Sequence, residues 1–389
     1  MDLYMLLKPF LLIGSLSIGS LLTLVQVSAA ESQYSDLSNS FKKRFNHELR
    51  ENKLPGGAFV IVEADNVLKL GTYGKRSKGS NPNINADTVF RLASVSKTFA
   101  GTLASMLVEE GKLDWQQPIA SYLPEFTLAD QQNAKLINLG HIIGHSTGLM
   151  PNSYDNLINA NVNLTKIVSK FDELSPICQP GICYGYQNVA FSFIKEAIEQ
   201  QSTFSYANFI QKRIFAPLSM SSASVGYDAF LNESNRAEPH VKTKSGFQQV
   251  KVKPNYYQLA PAAGVNASIT DLSKWLMANL GQNPEVISAS MIEDITTPGV
   301  KTTKELRRRD WRPFLDSAHY GKGWRIYEFN GRPLIYHAGW VSGYVAEISY
   351  SPELNIGMAM LLNGESRVIA KLSAEFWQDA FKRADKLGI

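Results

Sequence analysis

Apolar residues return every four positions at Leu37, Phe41, Phe45 and Leu49, a spacing that predicts an amphipathic helix lying on an apolar surface. Gly56-Gly57 is expected to end it. The run Ala58 to Val62 then reads as a strand, Asp65-Asn66 as a turn, and Val67 to Tyr73 as the returning strand. From Ser94 to Glu110 the pattern is helical, with Val95, Phe99, Leu103, Met106 and Leu107 on a broad apolar face and Gly111 as a stop. Shorter helical stretches follow at Leu139 to His145, Phe191 to Gln200 and Tyr206 to Ile214, separated by loops rich in Asn, Ser, Pro and Gly. Strands return at Pro333 to His337, Tyr344 to Tyr350 and Ile356 to Leu362, and the pattern closes on Val368, Leu372, Phe376 and Ala380 at helical spacing.

Strands near both ends of the chain, each next to a helix, predict an α/β (α+β) fold: one mainly antiparallel sheet flanked by helices and interrupted in sequence by a helical insertion. The expected division is residues 31–90 with 241–389 for the sheet domain and 91–240 for the helical one. Residues 1–30 read as a signal peptide, with Lys8 before the apolar stretch Phe10 to Val27 and a small-residue cleavage site at Ser28-Ala29-Ala30. Export to the periplasm is the expectation, with secretion second. An uncleaved membrane anchor is the rival, although Gly14, Ser15, Ser17, Gly19 and Ser20 dilute the stretch.

Composition narrows the picture. With 389 residues, 44% hydrophobic and 19% charged, the chain can bury a large core, and a net charge of +4 with no long basic block argues against nucleic acid as a partner. Arg307-Arg308-Arg309, beside Asp310 and Trp311, reads as a solvated loop. Two cysteines occur, Cys178 and Cys183; after export they close a short disulfide loop, and a zinc site is the poorer alternative because no second pair accompanies them.

Three short motifs carry chemistry. In Ser94-Val95-Ser96-Lys97, residues three apart share a helix face, so the amine can reach the hydroxyl and, if burial destabilises its charged form, take its proton. A serine at a helix N-terminus can also turn its own N–H toward an oxyanion. Alone, the motif is weak, because Ser-x-x-Lys arises by chance in many chains and a helix cap beside a surface lysine is the plainer reading. In Tyr186-Gln187-Asn188, a phenol whose pKa a nearby lysine lowers can shuttle protons, and an amide can hold a carbonyl. In His337-Ala338-Gly339-Trp340, a strand with a missing side chain lets another backbone approach.

In this order the motifs resemble the serine β-lactamase and penicillin-binding-protein superfamily, in its class C β-lactamase and D,D-peptidase branch. Phe90-Arg91-Leu92-Ala93, His145 to Leu149 and Tyr320-Gly321-Lys322-Gly323-Trp324 also look like that branch, so the likeness runs from about Leu37 to Phe381. The resemblance implies an acyl-enzyme on Ser94, with Lys97 and Tyr186 passing the proton, either of them being the base. It implies that Asn188 holds the substrate amide and steadies Lys97, that the N–H groups of Ser94 and Trp340 form an oxyanion hole, and that Gly339 and His337 border the substrate. No cofactor or metal is implied. The expected partner is a small molecule: a β-lactam, a D-alanyl peptide or an ester, with a carboxylesterase and a non-catalytic binder as alternatives; no oligomeric state is implied. His337 stands where related β-lactamases have lysine, so it is expected to weaken recognition of a carboxylate.

Overall fold

The computed structural model describes residues 32–79 and 82–388. The signal segment read at 1–30 lies outside them. Among the described residues, no helix is long and apolar enough to cross a membrane. From Tyr34 onward the chain forms one compact unit.

Its frame is an eight-stranded antiparallel sheet. In chain order the strands of the molecule are β1 (Gly56–Glu63), β2 (Asn66–Gly74), β3 (Phe90–Arg91), β4 (Ser224–Val225), β5 (His240–Thr243), β6 (Gly246–Gln249), β7 (Val265–Ala267), β8 (Val300–Lys301), β9 (Leu315–Tyr320), β10 (Arg325–Phe329), β11 (Arg332–Val341), β12 (Tyr344–Ser351) and β13 (Ile356–Leu362). The large sheet has the order β2-β1-β13-β12-β11-β10-β9-β8, so β1 lies against β13 with Ala58 opposite Leu361. Strands β3, β7 and β4 form a small second sheet, and β5 and β6 a hairpin.

Alternation along each strand sorts side chains into two cores. Phe59, Ile61, Met358, Met360, Leu334 and Tyr336 pack on one face with α1 (Ser35–Glu51) and the last helix, Val368–Leu387. Ala58, Val60, Ala359, Leu361 and Ile348 belong to the other core, where the helix Ile269–Asn279 packs on β1, β12 and β13 and the helices of the insertion continue the same cluster. Phe41 of α1 touches Phe59 at 5.1 Å and Phe376 at 5.3 Å between ring centres, which fastens α1 and the last helix to the same sheet face. As expected, then, the fold is mixed α and β about an antiparallel sheet.

Several local expectations change. Helix α1 stops at Glu51, where Lys53 takes a φ of 54°. Gly56-Gly57 instead opens β1: a side chain at Gly56 would lie 2.8 Å from the Lys75 carbonyl oxygen and 2.9 Å from that of Tyr73, so glycine there serves close strand approach. Ser94 is not in an α-helix; it sits in a 3₁₀ turn, Ala93–Val95, and α2 spans Ser96–Glu109. Nor has α2 a single apolar face, for every residue from Ser96 to Leu107 is buried. The stretch expected as one helix from Tyr206 breaks into Tyr206–Ile210 and a π turn, Gln211–Phe215.

Candidate active site

The nucleophile turn is made by a strained residue followed by a buried helix. Ala93 has a φ of 48°, costly for a residue with a side chain, and it swings the backbone so that Ser94 is the one part-exposed position between buried Leu92 and buried Lys97. Two close approaches lock this turn. A Cβ at Gly339 of β11 would lie 2.2 Å from the Leu92 carbonyl oxygen and 2.8 Å from the Ser94 nitrogen. A Cβ at Gly323 would lie 2.3 Å from the Lys97 carbonyl oxygen, and one at Gly101 2.0 Å from that of Lys322. Glycine at these positions is what lets β11 and the loop from Gly321 to Trp324 press against the start of α2.

Lys97 is fully buried. Its Nζ lies 3.3 Å from Ser94 Oγ, 2.7 Å from Asn188 Oδ1 and 3.1 Å from the Ala262 carbonyl oxygen, and 4.7 Å above the Tyr186 ring. Burial pushes its pKa well below the ordinary lysine value of 10.5; Arg325 adds to this, while Asp155 opposes it. Among the described residues, no carboxylate pairs with the amine directly. Asp155 acts at one remove, accepting the Asn188 amide N–H at 2.7 Å and so fixing the Asn188 oxygen toward Lys97.

Tyr186 hydrogen-bonds the Ser94 side chain, and burial lifts its phenol to about 12 against the pull of Arg325 and Ser94. The expectation of a lowered tyrosine pKa is therefore reversed, because burial of the phenol outweighs the nearby positive charge. His145, with a φ of 54°, underlies Tyr186 at 4.3 Å between rings and accepts the Gln187 backbone N–H through Nδ1 at 3.2 Å.

His337 is 0% exposed. Its Nε2 lies 3.0 Å from the Tyr320 hydroxyl and 3.4 Å from Arg325 Nη1, and its Nδ1 lies 3.0 Å from the Ala338 carbonyl oxygen. Burial, reinforced by Arg325 and Lys97, keeps it neutral. The ring therefore buttresses Tyr320 and Arg325 and does not itself face a ligand. Trp340 sends its indole to the opposite sheet face, where it is 47% exposed, leaving its backbone beside the nucleophile turn that β11 contacts. Cys178 and Cys183 form a disulfide. Among the described residues, no cluster of His, Cys, Asp or Glu has the make-up of a metal site.

A cavity of about 470 Å³ opens beside Tyr186, bordered by Tyr184, Arg325, Glu305, Lys301 and Lys304, with Ile182 and Cys183 of the disulfide loop on its rim. Sequence reasoning missed Arg325 and Glu305. Glu305 is buried, which by itself would raise its pKa, yet Arg325 and Arg308 hold it at about 2. Arg308 also donates to the Tyr336 hydroxyl at 3.1 Å, so the Arg307-Arg308-Arg309 stretch is not merely a solvated loop: its middle residue belongs to a buried ionic chain that ends at Arg325. What could have drawn attention to Arg325 is its place directly after Tyr320-Gly321-Lys322-Gly323-Trp324.

The family model described as Beta-lactamase matches residues 41–380. The chain belongs to the Beta-lactamase family. Among curated relatives it is similar to the unguisins hydrolase ungD' of Aspergillus campestris, 23% identical over 87% of this chain and 64% of the relative. It is also similar to the protein flp of Staphylococcus aureus strain MRSA252, 23% identical over 84% of this chain and 63% of that protein. The chain thus spans just under two thirds of the length of these relatives. Among solved structures, an octameric penicillin-binding protein homologue from Pyrococcus abyssi superposes with a TM-score of 0.76 at 23% identity, covering 90% of this chain and 77% of that one. As a Beta-lactamase family member the protein has the fold of a serine hydrolase superfamily.

Proposed function

We propose that this Beta-lactamase family protein is an exported serine hydrolase that opens an amide, lactam or ester carbonyl through an acyl-enzyme on Ser94. The observation that carries the reading is the coordination of Lys97. A neutral amine has two hydrogens and one lone pair. Two of its three neighbours, Asn188 Oδ1 and the Ala262 carbonyl oxygen, can only accept, so the lone pair is left for the Ser94 hydroxyl. Lys97 is then the base for acylation: it takes the Ser94 proton as Oγ bonds to the substrate carbonyl carbon. The N–H groups of Ser94 and Trp340 receive the developing oxyanion, each such donor contributing a factor of about 10²–10³ in acyl transfer. Tyr186, protonated and hydrogen-bonded to Ser94, hands its proton to the departing nitrogen or oxygen and regains one from Lys97. Water then cleaves the acyl ester by the reverse sequence.

A carboxylate-bearing β-lactam or D-alanyl peptide suits the cleft better than a neutral ester. The cavity beside Tyr186 is bordered by Arg325, Lys301 and Lys304 against the single carboxylate of Glu305, so it supplies the positive field that a neutral His337 does not. The disulfide fits an oxidising compartment, and periplasmic residence is part of the proposal.

Mass spectrometry after mixing with benzylpenicillin tests the mechanism. A transient adduct on Ser94, absent in Ser94→Ala, is expected, together with turnover of nitrocefin or a D-Ala-D-Ala peptide above that of p-nitrophenyl butyrate. A persistent adduct without turnover would instead support a binder, and preferential ester turnover a carboxylesterase.

A further inference from the structure

The segment between β8 and β9 carries charge with a period of three. Lys301, Lys304 and Arg307 are exposed. Thr302 and Glu305 are buried between them, and Arg308, at the same spacing, ties the segment down through Glu305 at 3.2 Å and the Tyr336 hydroxyl at 3.1 Å. The backbone is equally fixed: Lys301 pairs with His319 of β9, the N–H of Thr302 donates to the Ala318 carbonyl at 2.8 Å, and Glu305–Arg307 winds as a 3₁₀ turn. Residues three apart eclipse one another in such a turn, so Lys304 and Arg307 stand on one side of it, about 6 Å apart along its axis.

This outward row begins in the catalytic cleft. Lys301 and Lys304 border the cavity beside Tyr186, and Lys304 and Arg307 border a shallower hollow that continues from it past Thr303 and Glu305. Among the described residues, none of the three side chains has an ion-pair or hydrogen-bond partner. The other charged groups of the two hollows are Glu305, Arg325 and Arg308, and they are engaged with one another, Glu305 lying 3.4 Å from Arg325 and 3.2 Å from Arg308. A row of three cations is left for a ligand. It repels a basic group, gains little from a neutral one, and is filled only in part by a single carboxylate. Tyr186 hands its proton to the departing atom, so the cavity on its flank receives the leaving portion of the substrate. We propose that Lys301, Lys304 and Arg307 form the subsite for that portion, and that the leaving group is an extended acidic peptide with carboxylates beyond the scissile bond. The choice of the leaving side rests on the reading of Ser94 as nucleophile; the recognition of acid rests on the row itself. An extended chain advances about 3.3 Å per residue, so carboxylates on alternate residues match the spacing of Lys304 and Arg307. As the scissile C–N bond breaks, its nitrogen takes the Tyr186 proton and the acidic segment departs as a free amine.

Three peptides of equal length, acetyl-D-Ala-X-Gly-X with X as D-Glu, D-Gln or D-Lys, test the assignment. At low salt the D-Glu peptide should exceed the D-Gln peptide about 25-fold in kcat/KM, about fivefold for each carboxylate, with the gain in KM. The advantage should shrink to within about threefold at about 0.5 M NaCl. Lys304→Ala and Arg307→Ala should each lower the D-Glu to D-Gln ratio about fivefold, and Lys301→Glu/Lys304→Glu should invert the preference toward the D-Lys peptide. Fluorescence anisotropy of the labelled peptides on Ser94→Ala should give the same ranking without turnover. The proposal is overturned if the D-Glu peptide fails to bind Ser94→Ala at about 1 mM, if its preference survives Lys301→Glu/Lys304→Glu, or if a single-stranded DNA oligomer displaces it at lower concentration than the unlabelled peptide does. Ranked binding to Ser94→Ala with no cleavage by wild type would keep the acidic subsite and sink the Ser94 reading. Equal cleavage of all three peptides would do the reverse.

Discussion

At the scale of single residues the decisive variable is the proton on Lys97. Below its folded-state pKa the ammonium has no lone pair for Ser94; above it the amine is free, so kcat/KM for hydrolysis should rise with pH through one ionisation lying well under 10.5. Because the Tyr186 phenol sits at about 12, no alkaline fall should follow up to the pH at which the protein itself fails. A bell-shaped profile with a descending limb near pH 8 would contradict that assignment. Lys97→Arg, cationic throughout, should lose about 10²–10⁴-fold in kcat/KM at every pH. Ser94, Lys97, Tyr186 and Asn188 were readable because each lies in a short motif and the motifs come in a fixed order. Asp155, Glu305 and Arg325 were not, since they are charges outside any motif at the starts of a short helix, a 3₁₀ turn and a strand, and what makes them matter is which buried group they meet across the fold. The strand pattern placed His337 beside Gly339 but carried no information about Tyr320, which covers the ring.

At the scale of elements, the pattern recovered β1, β2, β11, β12 and β13, mostly as apolar runs, and the two flanking helices, each with one apolar face, but not the other eight strands of the described residues. It found α2 but misread its single apolar face, because burial there is uniform and takes in the polar residues Ser96, Thr98 and Thr102. It also failed where a helix changes its winding, as after Ile210. The disulfide loop is an element of another kind. It presents Ile182, 72% exposed, and Cys183 to the rim of the cleft, and Gly181 and Gly185 donate their N–H groups to the carbonyls of Ser146 and His145. Opening it in Cys178→Ser/Cys183→Ser should loosen one wall of the substrate cavity while leaving Lys97 and Ser94 in place. KM should rise several-fold with kcat little changed, and urea unfolding should show a loss of about 2 kcal/mol for a loop this short. A fall in kcat at constant KM would mean that the loop orders Tyr186 rather than the substrate.

At the scale of the whole molecule, the sheet is assembled from opposite ends of the chain: β1 pairs with β13, and α1 packs beside the last helix. Phe41 is the residue on which this closure can be measured. It is buried against Phe59 and Phe376, so Phe41→Ala should cost about 3–5 kcal/mol in equilibrium unfolding. The nucleophile lies on the other face of the sheet, and the specific activity of folded Phe41→Ala at 25 °C should match wild type; a parallel loss of activity would mean the two faces are not mechanically separate.

The alternation of β11 sets a rule for how this protein can change over generations. With one set of side chains at the nucleophile turn and the intervening set on the opposite sheet face, inserting or deleting a single residue within the strand would exchange the two populations, bringing Ala338 against Ser94 and turning Gly339 away. Substitutions can accumulate there one face at a time, but changes in length are barred, and lineages that diversify the substrate must do so in the loops around the cleft.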